Sequence, residues 1–274
     1  MPGRADRVLC GGTLLRRPLG ELVACAGAAG CRGLSLWPHH VAGLPAGEVR
    51  RRLADAGLAV VEVEPLLSWL PEGSLPPETA GLVGAPPEAF FELALAVGAP
   101  AVVAVDGFGA RAERPALLEA FGRLCEDAAA HGLAVKLEFT PWSSIPDARA
   151  AWEMVREAGR PDTGIVVDSW HHFRGANDLA MLRALPGERV TGVQLNDAPA
   201  QPPSEPPAVE SMHARRLPGE GAIDLAGLLD ALDAGGCRAP LGIEVFSDAL
   251  DALPAAEVGR RIARAMDALE AARS

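Results

Sequence analysis

Short apolar runs alternate with amphipathic stretches from one end of the chain to the other. The runs at 7–13, 33–37, 58–65, 101–105, 133–139, 164–168, 190–195 and 241–246 predict strands. Between them, apolar residues recur three and four apart, which predicts helices over 19–29, 48–56, 88–97, 113–130, 147–158, 178–184, 224–234 and 254–272. In the second helix Val49 and Leu53 point inward while Arg50, Arg51 and Arg52 point outward, and in the last helix Val258, Ile262, Met266 and Leu269 form one stripe. Gly30, Gly57 and Gly132 stand where helices should stop, and Pro146 stands before one that should start. The third run, Val61-Glu62-Val63-Glu64, alternates and predicts a half-buried strand.

Strands that are apolar nearly throughout belong to a parallel sheet covered on both faces. Eight strand–helix units in 274 residues predict an α/β fold of the (β/α)8 TIM barrel type, as a single domain over residues 1–274. A doubly wound open sheet is the alternative. Gly11-Gly12-Thr13 lacks the GxGxxG spacing of a dinucleotide-binding turn. The Pro- and Gly-rich stretch at 68–86 and the polar stretch at 198–218 fall within the barrel rhythm, so the second reads as a loop over the site and not as a linker.

Composition narrows the function. Hydrophobic residues make up 49% of the chain, enough for one large core. A net charge of −11 argues against nucleic acid or an anionic membrane as a partner. No apolar run approaches the length of a membrane span, and the first residues lead into no signal-peptide core. Five irregularly spaced cysteines without a CxxC pattern read as reduced structural thiols, which points to a cytoplasmic protein.

The acidic residues at the strand ends carry the chemistry. Glu138, Asp168 and Glu244 each close an apolar run, and Gln194 occupies the like place in the seventh. In a TIM barrel such tips converge on one site. Carboxylates crowded in a poorly solvated place repel one another, and a divalent cation relieves that cost. Three anionic oxygens and one amide oxygen suit Mn²⁺ or Mg²⁺, with Co²⁺ tolerated. Open positions on the ion fit the adjacent oxygens of a polyol or hydroxy-ketone. The ion would acidify the neighbouring C–H by stabilising an enediolate, and a carboxylate on each face could move the proton. Any one of these acids alone reads more simply as a cap or a solvated tip; corresponding positions on strands five to eight favour the site.

The order of five motifs carries a resemblance. They are Leu137-Glu138-Phe139, Val167-Asp168-Ser169-Trp170-His171, Val193-Gln194-Leu195-Asn196-Asp197, the stretch Arg216-Leu217-Pro218-Gly219-Glu220-Gly221-Ala222-Ile223-Asp224, and Gly242-Ile243-Glu244-Val245. Across roughly residues 130–250 the chain resembles the xylose isomerase-like TIM barrels, the sugar phosphate isomerase/epimerase superfamily. The resemblance implies Glu138, Asp168 and Glu244 as metal ligands, with Glu138 and Glu244 also the acid/base pair. It implies His171 as a contact to substrate oxygen and Arg216 as an arginine that reaches back to hold a substrate oxyanion or carboxylate. The fourth metal position is most often His in this family; here it is Gln194, whose neutral amide oxygen binds more weakly. Homodimers are common in the resembling family.

Further candidates carry a plain reading beside the functional one. His172 reads either as a donor behind the site or as a solvated loop residue. Trp37 and Trp170 read as walls of the pocket or as ordinary packing, as do His39, His40 and Trp142. Glu64 falls near the rim if its face of the third strand points inward. Lys136 shares the inward face with Glu138 and reads as half of a buried ion pair.

The leading expectation is a metal-dependent isomerase or epimerase acting on a small-molecule keto-sugar, keto-polyol or related hydroxy-carbonyl compound. The alternative is a dehydratase of the inosose or 3-dehydroshikimate type, in which the enediolate expels a β-hydroxyl. A nuclease of the endonuclease IV type would need many more histidines than the six present and a basic mouth. A barrel that binds the metal without turnover is the remaining reading.

Overall fold

The computed structural model describes residues 6–76, 79, 84–203 and 206–273. Eight parallel strands close a barrel in sequence order, β1 Arg7–Leu9, β2 Gly33–Leu36, β3 Ala59–Leu66, β4 Ala101–Val105, β5 Ala134–Glu138, β6 Thr163–Asp168, β7 Val190–Leu195 and β8 Leu241–Ile243. The helices around it are α1 Leu19–Ala29, α2 Ala46–Asp55, α3 Pro87–Val97, α4 Arg114–Ala130, α5 Ala148–Ala158, α6 Ser169–Arg174, α7 Leu179–Ala184, α8 Pro207–His213, α9 Leu225–Ala234, α10 Asp248–Asp251 and α11 Ala255–Arg273.

Local chemistry sets many of the helix ends. The side chains of Asp147, Asp178 and Asp224 accept the backbone N–H three residues on, which caps α5, α7 and α9. Gly30, Gly98 and Gly159 end α1, α3 and α5 in the left-handed conformation that a Cβ would disfavour. The ring closes where α11 packs on α1. A Cβ at Gly259 would lie 2.3 Å from the Cys25 carbonyl oxygen, so only glycine permits this approach. Arg7 of β1 ties the same helix down through Asp267 (2.6 Å) and Glu270 (3.0 Å).

The main core lies between the outer barrel face and the helices, built from residues such as Leu34, Leu36, Val63, Phe91, Phe121, Leu137 and Ile262. The barrel interior is different. It holds a small apolar cluster of Val103, Val105 and Val166. Beside it Lys136 Nζ lies 2.6 Å from Glu62 Oε2, the buried ion pair anticipated for Lys136. The five cysteines are free and buried, and burial holds the thiols of Cys25, Cys31 and Cys125 at about 12.

Four local expectations are corrected. The first strand stops at Leu9, and Gly11–Leu14 forms a 3-10 turn, because Thr13 donates its hydroxyl to Ile243 O and turns the chain across the barrel top. The eighth strand stops at Ile243, and its continuation bends inward as Val245 N–H donates to Thr13 Oγ1. The third strand is buried on both faces over 60–64, since Lys136 neutralises Glu62 and Glu64 faces the barrel interior. The polar stretch at 198–218 contains α8. Residues 77–78, 80–83, 204–205 and 274, together with 1–5, lie outside the described residues.

Candidate metal centre and pocket

The tips of β5, β6 and β8 bring Glu138, Asp168 and Glu244 together. One ligand oxygen from each can lie within 4.8 Å of the others, and all three residues are buried. Asp168 is held from two sides. Its Oδ1 accepts His171 N–H at 2.9 Å, which makes Asp168 the N-cap of α6. Its Oδ2 accepts Asn196 Nδ2 at 2.8 Å and Arg215 Nη1 at 2.9 Å. The same guanidinium nitrogen lies 3.6 Å from Glu244 Oε2.

The acids crowd one another. Burial first, and then the charge of Asp168, pushes Glu138 up to about 8. Glu244 is raised well above the usual carboxylate range by burial and by Glu138, and Glu64 by burial and by Glu244. His171 lies in the first turns of α6, not in a loop, because the Asp168 cap starts a helix straight after the strand. Its Nε2 is 3.3 Å from Glu138 Oε1, and burial pushes its pKa down to about 3, so the ring is neutral. The same Nε2 also lies 3.5 Å from Arg215 Nη2, and Nδ1 is buried without a partner.

Gln194 sits at the tip of β7 as the sequence predicts. Its Nε2 donates to Glu64 Oε2 at 3.3 Å, while its Oε1 is buried without a donor. Three crowded carboxylates and an orphaned amide oxygen are the donor set of a hard divalent cation, so the residues present fit one. Glu64, 2% exposed, also accepts a hydrogen bond from Ser35 Oγ.

Above the acids opens a cavity of about 410 Å³. Trp37, Phe108, Trp142 and Phe246 form its aromatic walls, and Ala208, Ser211 and Met212 of α8 lie along its edge. Glu64, Glu138, His171, Arg215 and Glu244 supply its polar groups. The loops are fixed from beneath. Asp106 accepts the backbone N–H of Ala110 at 3.0 Å and of Ser144 at 3.2 Å, which joins the loops after β4 and β5. Trp142 Nε1 donates to Gly107 O at 3.0 Å across the same junction. Over the mouth, Arg174 of α6 grips Glu210 of α8 through two hydrogen bonds of 2.9 and 2.6 Å.

One predicted contact is corrected. Arg216 is exposed and donates to Glu220 O at 3.0 Å, so it does not reach the acids. Its neighbour Arg215, 3% exposed, does. The segment pairs as an extended chain, Arg216 with Asp197 and Ala214 with Ser247, so adjacent side chains take opposite directions. Trp170 and His172 are buried but do not line the cavity; Trp170 packs edge-on against Trp142 and His171. Trp37 does line it. Asn196, Ser211 and Ser35 were not singled out from the sequence, and only Asn196 carried a signal there, as the residue two places beyond Gln194 in a strand-end motif.

A family model described as "Xylose isomerase-like TIM barrel" matches residues 23–272. The chain is 34% identical over 247 residues to a 3-dehydroshikimate dehydratase of Pseudomonas aeruginosa, a match that covers 86% of this chain and 37% of that protein. It is 27% identical over 130 residues to an inosose isomerase of Bacillus velezensis, covering 47% of this chain and 45% of the relative. Among solved structures, the IOLI protein with a bound zinc atom superposes with a TM-score of 0.84 at 17% identity, covering 98% of this chain and 99% of that one.

Proposed function

The chain belongs to the xylose isomerase-like TIM barrel family, and on that premise we propose that it is a divalent-cation-dependent dehydratase of a polyhydroxylated cyclic ketone, with 3-dehydroshikimate as the concrete substrate. The observation that carries the reading is the convergence of Glu138, Asp168 and Glu244 beneath a cavity with aromatic walls. Flat apolar walls suit a six-membered ring that flattens as it becomes aromatic. The 34% identity to a 3-dehydroshikimate dehydratase over most of this chain supports the same substrate.

Glu138, Asp168, Gln194 and Glu244 would hold the cation. When bound, it supplies Lewis-acid polarisation of the ketone oxygen. Glu138 and Glu244 form the acid/base pair. One carboxylate takes the proton next to the carbonyl. The C–H electron pair becomes the new C=C bond as the β C–O bond breaks, and the other carboxyl gives its proton to the departing hydroxyl, which leaves as water. Neutral His171 sets its Nε2 between Glu138 and Arg215 and helps to orient both. Arg215, the one Arg or Lys among the described residues lining the cavity, offers the counter-charge for a ring carboxylate.

The second reading is an isomerase or epimerase, favoured by the match to an inosose isomerase. It shares proton removal and differs in returning the proton to carbon. Incubating the Mn²⁺-loaded protein with 3-dehydroshikimate in D₂O separates the two. Aromatic absorbance with loss of water is the expected result. Deuterium incorporation into a ketose or inosose substrate, with no absorbance from 3-dehydroshikimate, would overturn dehydration in favour of isomerisation.

A further inference from the structure

The weakest donor of the site is Gln194, because an amide can face a cation with either its oxygen or its nitrogen. In the structure a chain of hydrogen bonds leads to it. It begins at Gly11 N–H, a backbone group that can only donate, and this group donates to Ser35 Oγ at 3.0 Å. Ser35 Oγ also bonds Glu64 Oε1. The second oxygen of the same carboxyl, Oε2, then accepts Gln194 Nε2 at 3.3 Å. An ionised Glu64 can only accept on both oxygens, so it holds the Gln194 amide by its nitrogen, and Gln194 Oε1 is buried with no donor. Glu64 and Ser35 are themselves 2% and 0% exposed, so water does not scramble the sequence.

From this we infer that Glu64 is a positioning residue for the cation site: it fixes the Gln194 amide with its oxygen toward the ion. The inference rests on the cation-binding reading above. Partners behind a ligand orient it and tune its affinity. An alanine at 194 has no amide to be turned, so an anchor that acts through Gln194 has no effect in that background. Glu64 lies on β3, outside the four strands that supply the ligands, and its two oxygens are occupied by Ser35 and Gln194.

The experiment is a Mn²⁺ titration of chelator-stripped protein by calorimetry, with electron paramagnetic resonance of the bound ion as a second readout. Four proteins are compared: wild type, Glu64→Gln, Gln194→Ala and the double variant, each checked for folding by circular dichroism. A glutamine at 64 can donate to Gln194 Oε1 and turn the amide over. Glu64→Gln is expected to weaken Mn²⁺ binding about 10- to 100-fold in the wild-type background and to change the resonance of the remaining bound ion. In the Gln194→Ala background the same substitution is expected to change the affinity less than about 3-fold, well short of the usual range for a partner behind a ligand. Equal losses in both backgrounds would overturn the inference, since Glu64 would then act as a ligand or through general charge. Unchanged affinity in Glu64→Gln would overturn it as well. Failure of the wild type to bind Mn²⁺ is a separate outcome, which would remove the cation site and the anchor with it.

Discussion

Arg215 Nη1 lies 2.9 Å from Asp168 Oδ2, inside a site where Asp168 is wholly buried. The guanidinium is the nearest thing to a cation that the chain itself provides, and it faces Glu244 as well. Arg215→Met should leave the Asp168 carboxylate without its charged partner. Urea unfolding of the stripped protein should show a loss of about 3–5 kcal/mol. Saturating Mn²⁺ should recover part of that loss, because the ion supplies the missing positive charge to the same carboxylates.

The exposed neighbour gives the contrasting prediction. Arg216→Ala removes one hydrogen bond to the Glu220 carbonyl at the surface. Stability should change by no more than about 0.5 kcal/mol, and the Mn²⁺ affinity should stay that of the wild type. A large effect on either would return Arg216 to the site.

Acidity sets a third test. In the folded protein Glu138 is raised to about 8, and Glu244 and Glu64 are raised too. Unfolded, these groups lose their protons at ordinary carboxylate pH. Between about pH 5 and 8 the folded state therefore holds more protons than the unfolded state, and these groups make stability fall as pH rises. His171, lowered to about 3, acts the other way but only below about pH 6.5, where the unfolded ring begins to protonate. From about pH 6.5 to 8 the glutamates act alone among these groups. Denaturant midpoints of stripped protein should fall across that window, with each group contributing at most about 1.4 kcal/mol per pH unit. Mn²⁺ affinity should rise over the same window, since the ion binds the ionised acids.

Asp197 organises the turn next to the site. Its Oδ1 accepts Ala198 N–H at 2.8 Å and Ile223 N–H at 3.0 Å, and its Oδ2 accepts Gly219 at 3.0 Å and Gly221 at 2.9 Å. A Cβ at Gly221 would lie 2.3 Å from Asp197 Oδ1, so the turn closes tightly on the carboxylate. Asp197→Asn replaces one acceptor oxygen by a donor and sets it against two backbone N–H groups. The expected loss is about 2–4 kcal/mol, read in urea unfolding, with faster amide exchange at Gly219 and Gly221.

Substituting the acid/base pair tests the chemistry. Glu138→Gln and Glu244→Gln should each lower turnover about 10²- to 10⁴-fold. Steady-state assay with 3-dehydroshikimate checks this, and turnover left intact in both would dismiss the acid/base scheme.

Much of this architecture was legible because the barrel repeats one rule. Continuous apolar runs such as Ala101–Val105 mark strands that are covered on both faces, and the acids at the ends of β5, β6 and β8 fall where such strands meet. What escaped was set by direction and not by residue type. Arg215 and Arg216 are identical in chemistry, and only the pairing of their segment decides which one turns inward. Val61-Glu62-Val63-Glu64 carries the alternation of a half-wet strand, yet it is buried because Lys136 arrives from another strand to neutralise Glu62. α8 hid inside a Pro-rich stretch, since seven residues are too few for a periodic pattern to emerge.

The pairing of Lys136 with Glu62 has a consequence for the barrel as a whole. Beneath the pair, at the end opposite the acids, opens a cavity of about 680 Å³ lined by residues such as Ala101, Val135, Gly164 and Pro240. The pair stands between the two spaces as a floor whose Glu62 charge still bears on Glu64, Glu138 and Glu244 above it. Lys136 itself lines the lower cavity, so side chains there can be enlarged only where its pairing with Glu62 is kept. The barrel is therefore a two-storey structure, and its lower storey is the place where added packing can raise stability provided the ion pair between the storeys is kept.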